Sequence, residues 1–372
     1  MDGVRIALIH EFLGSTRGGQ EEVLRELHAL YPHASIYTII ADHRHLSEDY
    51  KGWDIRSTFI QKLPFATSRF QWYLPLMPQA IESIDLRDYD VVISSSSAFA
   101  KGVIVPPHTL HICYCHTPTR YLWSDTHTYV RERRVARPLR AAVRHYFTHL
   151  RLWDRVAAER PDTMIANSRA VQHRIKRYYR RDSHIIYPPV DTKSFTVGEG
   201  EGEYFLTGGR LVESKRFDVV VQAFNRLRIP LVIFGAGRDE GRLRRMAGTT
   251  IRFAGYVEYQ ERARLFARAK AFIYPQVEDF GITAVESMAA GRPVVAFAAG
   301  GTLETVEEGV TGTFFPEPTW ECLADTVARF QAHAYNPATL RSSAERFSAE
   351  RFQREIEAFI KEQWEEHCNQ FT

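Results

Sequence analysis

Two glutamates, Glu278 and Glu286, stand at the ends of the stretch EDFGITAVE. Carboxylates at this spacing can serve as an acid and a base, as metal ligands or as a hydrogen-bonding clamp for a polyhydroxylated ligand, or they can be two solvated charges. A helix expected from near Ile282 to a stop at Gly291 puts Glu286 about one turn in and leaves Glu278 in the loop before it. The two therefore do not meet by i,i+4 logic. Phe280 and Gly281 fall at the helix N-terminus, where unpaired backbone N–H groups point at an anion. The geometry favours a clamp, with an anion on the helix end and hydroxyls on the carboxylates.

Three further stretches carry chemistry. In GGRLVESKRFD, residues 208–218, Arg210 and Lys215 are five apart and can meet a diphosphate leaving group, while Gly208 and Gly209 keep the loop narrow. Two exposed bases ahead of a helix are the plainer alternative. His116 opens HTPTRYLW at the end of a strand, a place from which an imidazole can donate to or accept from a sugar hydroxyl. Gly18 and Gly19 precede an amphipathic helix, as glycines do both in ordinary turns and where a backbone approaches a phosphate or sugar oxygen. FGAGRDEGR, residues 234–242, has the first two glycines of a G-x-G-x-x-G fingerprint and lacks the third. A dinucleotide site is disfavoured, and there is no Walker A sequence.

Positioning these residues requires strands that end where they begin. Short apolar runs alternate with helical patterns, the signature of parallel sheets covered by helices. Strands are expected at 4–9, 35–40, 90–93, 110–115 and 163–167, so that the first ends at His10, and again at 203–207, 230–234, 250–254, 271–274 and 293–297. Between the series YPPVDTKSFTVGEGEGE, residues 187–203, reads as a linker. The expected class is α/β, with two doubly wound domains facing a central cleft and ligand residues just after strands. The domains are 1–190 and 191–345. Residues 346–372 form terminal helices that pack back on the first domain through Phe352, Ile356, Phe359, Ile360 and Trp364. The aromatic stretch 56–80 has no clean period; core packing is favoured over an acceptor groove or lipid contact.

A chain of 372 residues, 44% hydrophobic and 25% charged, is long enough for two cored domains and unlike a disordered or fibrous sequence. Cys113, Cys115, Cys322 and Cys368 show no metal-site spacing, which points to buried thiols in a reducing compartment. The apolar run VRIALI is too short for a signal peptide and no run reaches a membrane span, so a cytoplasmic protein is expected. Charge is uneven: residues 1–190 carry a net +7 and the remainder −4. In residues 131–155 eight arginines face only Glu132 and Asp154. That run reads first as a solvated helix face, then as contact with an anionic membrane surface or a diphosphate-bearing acceptor. Nucleic acid ranks lower, because no recognition motif accompanies the charge.

GGQE at 18–21, HTP at 116–118, GRLVESK at 209–215 and E-x7-E at 278–286, in that order across the chain, resemble the retaining GT-B glycosyltransferases of family four. CHTPTRYLW and EDFGITAVESMAAGRPVVAFAAGGTLETV further resemble a bacterial branch containing mannosyltransferases of O-antigen and polysaccharide assembly. The resemblance implies that Glu286 binds ribose hydroxyls and Glu278 the donor sugar. Phe280, Gly281 and Ile282 would offer backbone to sugar and phosphate, and Arg210 and Lys215 would hold the diphosphate. His116 would lie near the reacting carbon, Gly18 and Gly19 beside the phosphate, and Tyr256 and Val257 against the base. Gln20 is permitted by the family pattern, while Glu21 is left without a definite role. By the same resemblance the donor is a nucleotide-diphospho-sugar, GDP-mannose first and a UDP-sugar second, with no metal required. The acceptor is a saccharide, lipid-diphosphate-linked in cell-surface lipopolysaccharide or polysaccharide synthesis, reached from a peripheral position on the cytoplasmic membrane face. Competing readings are a glycosidase using the two glutamates and a non-catalytic nucleotide- or glycan-binding protein; retention of His116, Arg210 and Lys215 speaks against the latter.

Overall fold

A computed structural model describes residues 3–14, 18–124, 126 and 139–370. The chain divides into two compact units, Met1–Pro188 with Phe352–Thr372, and Pro189–Arg351. Each is a parallel sheet covered by helices.

The first unit holds β1 (Ile6–Leu13), β2 (Ser35–Ala41), β3 (Ile55–Ser57), β4 (Val91–Ser96), β5 (Leu110–Cys115), β6 (Thr163–Ala166) and β7 (His184–Ile185) in the order β3-β2-β1-β4-β5-β6-β7. Its central strands are buried along nearly their whole length, as strands covered on both faces must be. β1 runs three residues past His10, so His10 and Glu11 lie within the strand and not after it. Both are nonetheless buried, because the apolar alternation gives way to polar side chains at the carboxyl ends of β1 and β4.

The second unit holds β8 (Tyr204–Gly208), β9 (Leu231–Phe234), β10 (Ile251–Gly255), β11 (Ala269–Tyr274), β12 (Val294–Phe297) and β13 (Gly312–Phe315), ordered β10-β9-β8-β11-β12-β13. In both sheets the order reverses beside the first strand, between β1 and β4 and between β8 and β11. Helices leave to opposite faces at such a point, and the loops after the strands splay apart and expose their backbone.

β3, β7 and β13 escape the sequence reading. They are two to four residues long and sit at sheet edges, where short length is itself protection against edge pairing. The aromatic stretch is only partly core. Ile60, Ala66, Met77 and Ala80 are buried, but Phe59 and Trp72 project into solvent from 3₁₀ helices whose threefold repeat cannot hold one face inward over a long run, and Phe65 projects from the turn between them. The final helix, Ala349–Gln370, places Phe352, Ile356 and Ile360 in the first unit's core with Leu8, Val23 and Ile93, and packs Phe359 and Trp364 against it. The stretch read as a linker is ordered against the second unit after Pro189. The buried Arg292 guanidinium donates to the carbonyls of Glu199, Gly200 and Ala267. No disulfide joins the described cysteines, and Cys322 and Cys368 are only half-buried, the helix faces they occupy being partly solvated. Residues 127–138, with half of the arginine run, lie outside the described residues; the rest forms the helix Leu139–Ala157. No described helix is long and apolar enough to cross a membrane.

Candidate functional site

In the second unit the loops after β8, β9, β11 and β12 interlock through glycine. Gly209 (φ +131°) and Gly235 (φ +106°) adopt backbone angles that L side chains rarely take, and a Cβ on Gly235 would lie 1.9 Å from the Gly209 carbonyl oxygen. Hydrogen bonds from Gly209 N–H to Phe234 O (3.1 Å) and from Leu211 N–H to Ala236 O (2.9 Å) hold the two loops edge to edge. The glycines of FGAG thus serve loop–loop packing. On the other side of the switch point Gly301 N–H donates to Glu278 O (2.9 Å), and a Cβ on Gly301 would meet Phe280 Cα at 2.4 Å. The EDFG loop is therefore clamped by the loop after β12.

That frame brings Lys215 and Glu278 together. Lys215 Nζ lies 2.7 Å from Glu278 Oε1, and Tyr274 donates its hydroxyl to Glu278 Oε2 at 2.8 Å. Burial, and then the Glu278 carboxylate, raise the Tyr274 hydroxyl far above its ordinary pKa, so it remains a donor. Two residues read as serving different ligand groups are thus one ion pair. Arg210, five residues before Lys215, is exposed. Gly281 is the N-cap of the helix Ile282–Ala289 with φ +96°, and Phe280 is buried against Phe347. Lys215, Glu278 and the glycine-capped helix start thus form a half-buried patch with a cation, an anion and a helix N-terminus side by side, suited to a ligand with both phosphate and hydroxyl groups.

Glu286, second residue of the clamp, is buried inside that helix and accepts from Arg262 (2.9 Å to Oε1), whose guanidinium stacks over Tyr259 at 4.6 Å. Arg262 was not found by the sequence reading, although the helix Tyr259–Ala267 that carries it directly follows the Tyr256–Val257 loop. Tyr256 is exposed and Val257 half-buried. Among the described residues no three His, Cys, Asp or Glu side chains cluster as metal ligands.

In the first unit, Gly18 caps the helix Gly19–Leu30. Its N–H donates to the carboxylate of Glu21 (3.0 Å), which supplies the role the sequence left open. Residues 15–17 lie outside the described residues. At the switch point of this sheet the buried Glu11 carboxylate accepts from the backbone N–H groups of Ser97 (3.0 Å), Phe99 (2.7 Å) and Ala100 (3.3 Å), and from the hydroxyls of Ser96 (3.2 Å) and Ser97 (2.6 Å). The place where a doubly wound sheet would offer N–H groups to a phosphate is filled by the chain's own anion. His116 is buried, with Nε2 2.8 Å from Ser95 Oγ, and burial pushes its imidazole down to about 3. It is a neutral ring with one nitrogen already engaged by the protein.

Residues 191–347 match the family of Glycosyl transferases group 1, and residues 17–194 match Glycosyltransferase Family 4. The two matches overlap at residues 191–194 and together take in both sheets except for β1. Both units therefore match glycosyltransferase families, the first Glycosyltransferase Family 4 and the second Glycosyl transferases group 1. The chain's fold is also that of two solved structures: Anabaena Alr3699/HepE in complex with UDP (TM-score 0.71, 16% identity, 96% of this chain and all of the other), and sucrose-phosphate synthase from Thermosynechococcus elongatus (TM-score 0.70, 17% identity, 96% and 98%). These identities bear on the fold alone. In sequence, the chain is 35% identical to a GDP-mannose-dependent phosphatidylinositol monomannoside mannosyltransferase of Corynebacterium glutamicum over 26% of its own length and 30% of the relative's. It is 30% identical to D-inositol 3-phosphate glycosyltransferase of Mycobacterium leprae over 41% and 42%. The chain therefore spans less than half the length of these curated relatives.

Proposed function

We propose that this chain is a group 1 glycosyltransferase, a retaining hexosyltransferase that moves mannose from GDP-mannose to a saccharide acceptor carried on a lipid diphosphate, in cell-surface polysaccharide synthesis. The observation that carries a nucleotide-sugar donor is the Lys215–Glu278 pair at the β8/β11 switch point, beside a helix start that only a glycine caps comfortably. In this reading Glu278, oriented by Tyr274, binds hydroxyls of the donor sugar, and Lys215 with Arg210 balances the charge that grows on the diphosphate. Phe280, Gly281 and Ile282 present backbone to sugar and phosphate. Glu286 takes the ribose hydroxyls, and the Tyr256–Val257 loop meets the base.

The reaction breaks the C1–O bond to the diphosphate and forms a C1–O bond to the acceptor hydroxyl on the same face. The acceptor proton passes to the departing diphosphate oxygen. This step needs a held sugar and a stabilised leaving group more than a protein nucleophile, and it needs no metal beyond the two cationic side chains. His116 contributes a neutral imidazole at the sugar.

A UDP-sugar donor is the second reading. It is favoured by the structural similarity to Alr3699/HepE, which has been solved with UDP and with UDP-glucose. The mannose reading is favoured by the sequence similarity to the corynebacterial mannosyltransferase. Incubation with GDP-mannose, UDP-glucose and simple glycosides, each with a prenyl-diphosphate saccharide, separates the alternatives. Release of GDP with an α-linked product supports the proposal and release of UDP supports the second reading. Cleavage of glycosides without nucleotide release refutes both.

A further inference from the structure

Strand alternation gathers three polar side chains on one face of the first sheet. Parallel register sets His10 of β1 beside Ser95 of β4, and Ser95 beside Tyr114 of β5, two residues before His116. Residues two apart on a strand share a face, so His10, Ser95 and His116 continue the rows that lower down supply Leu8, Ile93 and Ile112 to the core. Ser95 Oγ lies 3.3 Å from His10 Nδ1 and 2.8 Å from His116 Nε2, and all three residues are buried.

A serine hydroxyl has one proton. It donates to one of the two facing nitrogens and accepts an N–H from the other, so one of those nitrogens is protonated and its counterpart is bare. Burial pushes His10 down to about 4, against the Glu11 carboxylate that pulls it up, and His116 to about 3, so each ring carries a single proton at neutral pH.

We infer that Ser95 and His10 are positioning residues that fix the tautomer of His116, with both rings protonated on Nδ1 or both on Nε2. If His116 Nε2 accepts from Ser95, its proton is on Nδ1, and Ser95 must accept from a protonated His10 Nδ1. If His116 Nε2 donates, its Nδ1 is bare; Ser95 then donates to His10 Nδ1, and the His10 proton sits on Nε2. The nitrogen of His116 that Ser95 leaves unengaged, Nδ1, is thereby set as donor or acceptor by a residue two strands away in the sheet. Nothing in the motif HTP announces this, because the partners lie on β1 and β4.

The tautomer lock stands on geometry alone; its consequence for a sugar hydroxyl rests on the proposed transferase reading, and the two are tested separately. Long-range ¹H–¹⁵N correlation on the full, ligand-free chain labelled with ¹⁵N-histidine reads the tautomer of each ring, with His10→Gln and His116→Gln used for assignment. The same tautomer at both rings is expected in the parent and in Ser95→Thr, and loss of the match in Ser95→Ala. Opposite tautomers in the parent, or an unchanged pattern in Ser95→Ala, overturn the inference; if Ser95→Ala does not fold, Ser95→Cys replaces it. For the positioning role, Ser95→Ala lowers kcat about tenfold with KM within about threefold, and Ser95→Thr restores it. A loss carried by KM, or no rescue by threonine, overturns that role. A parent protein that turns over no nucleotide sugar refutes the transferase reading while leaving the tautomer result intact.

Discussion

Asp154 accepts four donors, from the buried Lys101 Nζ (2.7 Å), Thr119 Oγ1 (2.7 Å) and Tyr179 OH (3.0 Å) and from the half-buried Trp123 Nε1 (2.7 Å). It lies on the helix Leu139–Ala157 and ties the loop that follows β4 to the segment just past HTP. Lys101 and Asp154 are each 1% exposed. Replacing Asp154 by alanine leaves the Lys101 ammonium in the interior with the Ala98 carbonyl as its remaining acceptor among these contacts. Breaking a buried ion pair from one side costs ~3–5 kcal/mol, and each orphaned donor adds ~1–3 kcal/mol where water cannot reach it. A loss on the order of 5 kcal/mol is a large part of the roughly 5–15 kcal/mol that holds an ordinary domain together. Five of the six tryptophans belong to the first unit, Trp320 alone to the second, so urea unfolding followed by tryptophan fluorescence reports this unit. With a slope of ~2–3 kcal/mol per molar, the midpoint should fall by about 2 M. The double replacement Lys101→Met with Asp154→Leu removes both charges and should regain much of the loss. A shift below ~0.5 M in Asp154→Ala, or a double variant no more stable than the single one, would falsify the claim that the buried pair carries this energy.

Glu286→Ala should weaken nucleotide affinity about tenfold or more in calorimetry, whereas Glu278→Ala should leave nucleotide affinity within about threefold and lower kcat. Equal nucleotide affinity in the parent and Glu286→Ala contradicts the ribose role. Gly281→Ala has room, its Cβ being 3.4 Å from the Tyr274 hydroxyl oxygen, so the cost is backbone strain of ~1–2 kcal/mol and a melting point a few degrees lower. Gly235→Ala, which collides with Gly209 backbone, should cost clearly more; the reverse order sinks the packing argument. Burial holds His10 at about 4 and His111 and His116 at about 3 in the fold, all below the unfolded value of 6.5. Stability from these rings is therefore full above about pH 6.5 and lost as pH falls, by ~1.4 kcal/mol per ring at pH 5.5. Glu21 and Glu26, raised by burial, work in the opposite direction as acid is added. The urea midpoint at pH 5.5 should lie below that at pH 7, and an equal or higher midpoint refutes the buried neutral rings.

Two doubly wound sheets were legible because periodicity reports burial: strands covered on both faces appear as unbroken apolar runs, and the glycines and charges that follow them mark their carboxyl ends. The helix Ile282–Ala289 and the loop position of Glu278 followed from the same local rules. What the sequence by itself could not determine is whatever depends on register between strands far apart in the chain. Lys215 meets Glu278, and Glu286 meets Arg262, only because β8 pairs with β11 and the helices after β10 and β11 pack together. His116 read as an open imidazole. Tertiary structure buries it and gives one of its nitrogens to Ser95, which in turn faces His10, 85 residues earlier in the chain. Local spacing thus chose the side chains that can meet a donor, but their protonation states and pairings were decided by parallel pairing, which brings carboxyl ends of strands together without leaving a trace in local sequence.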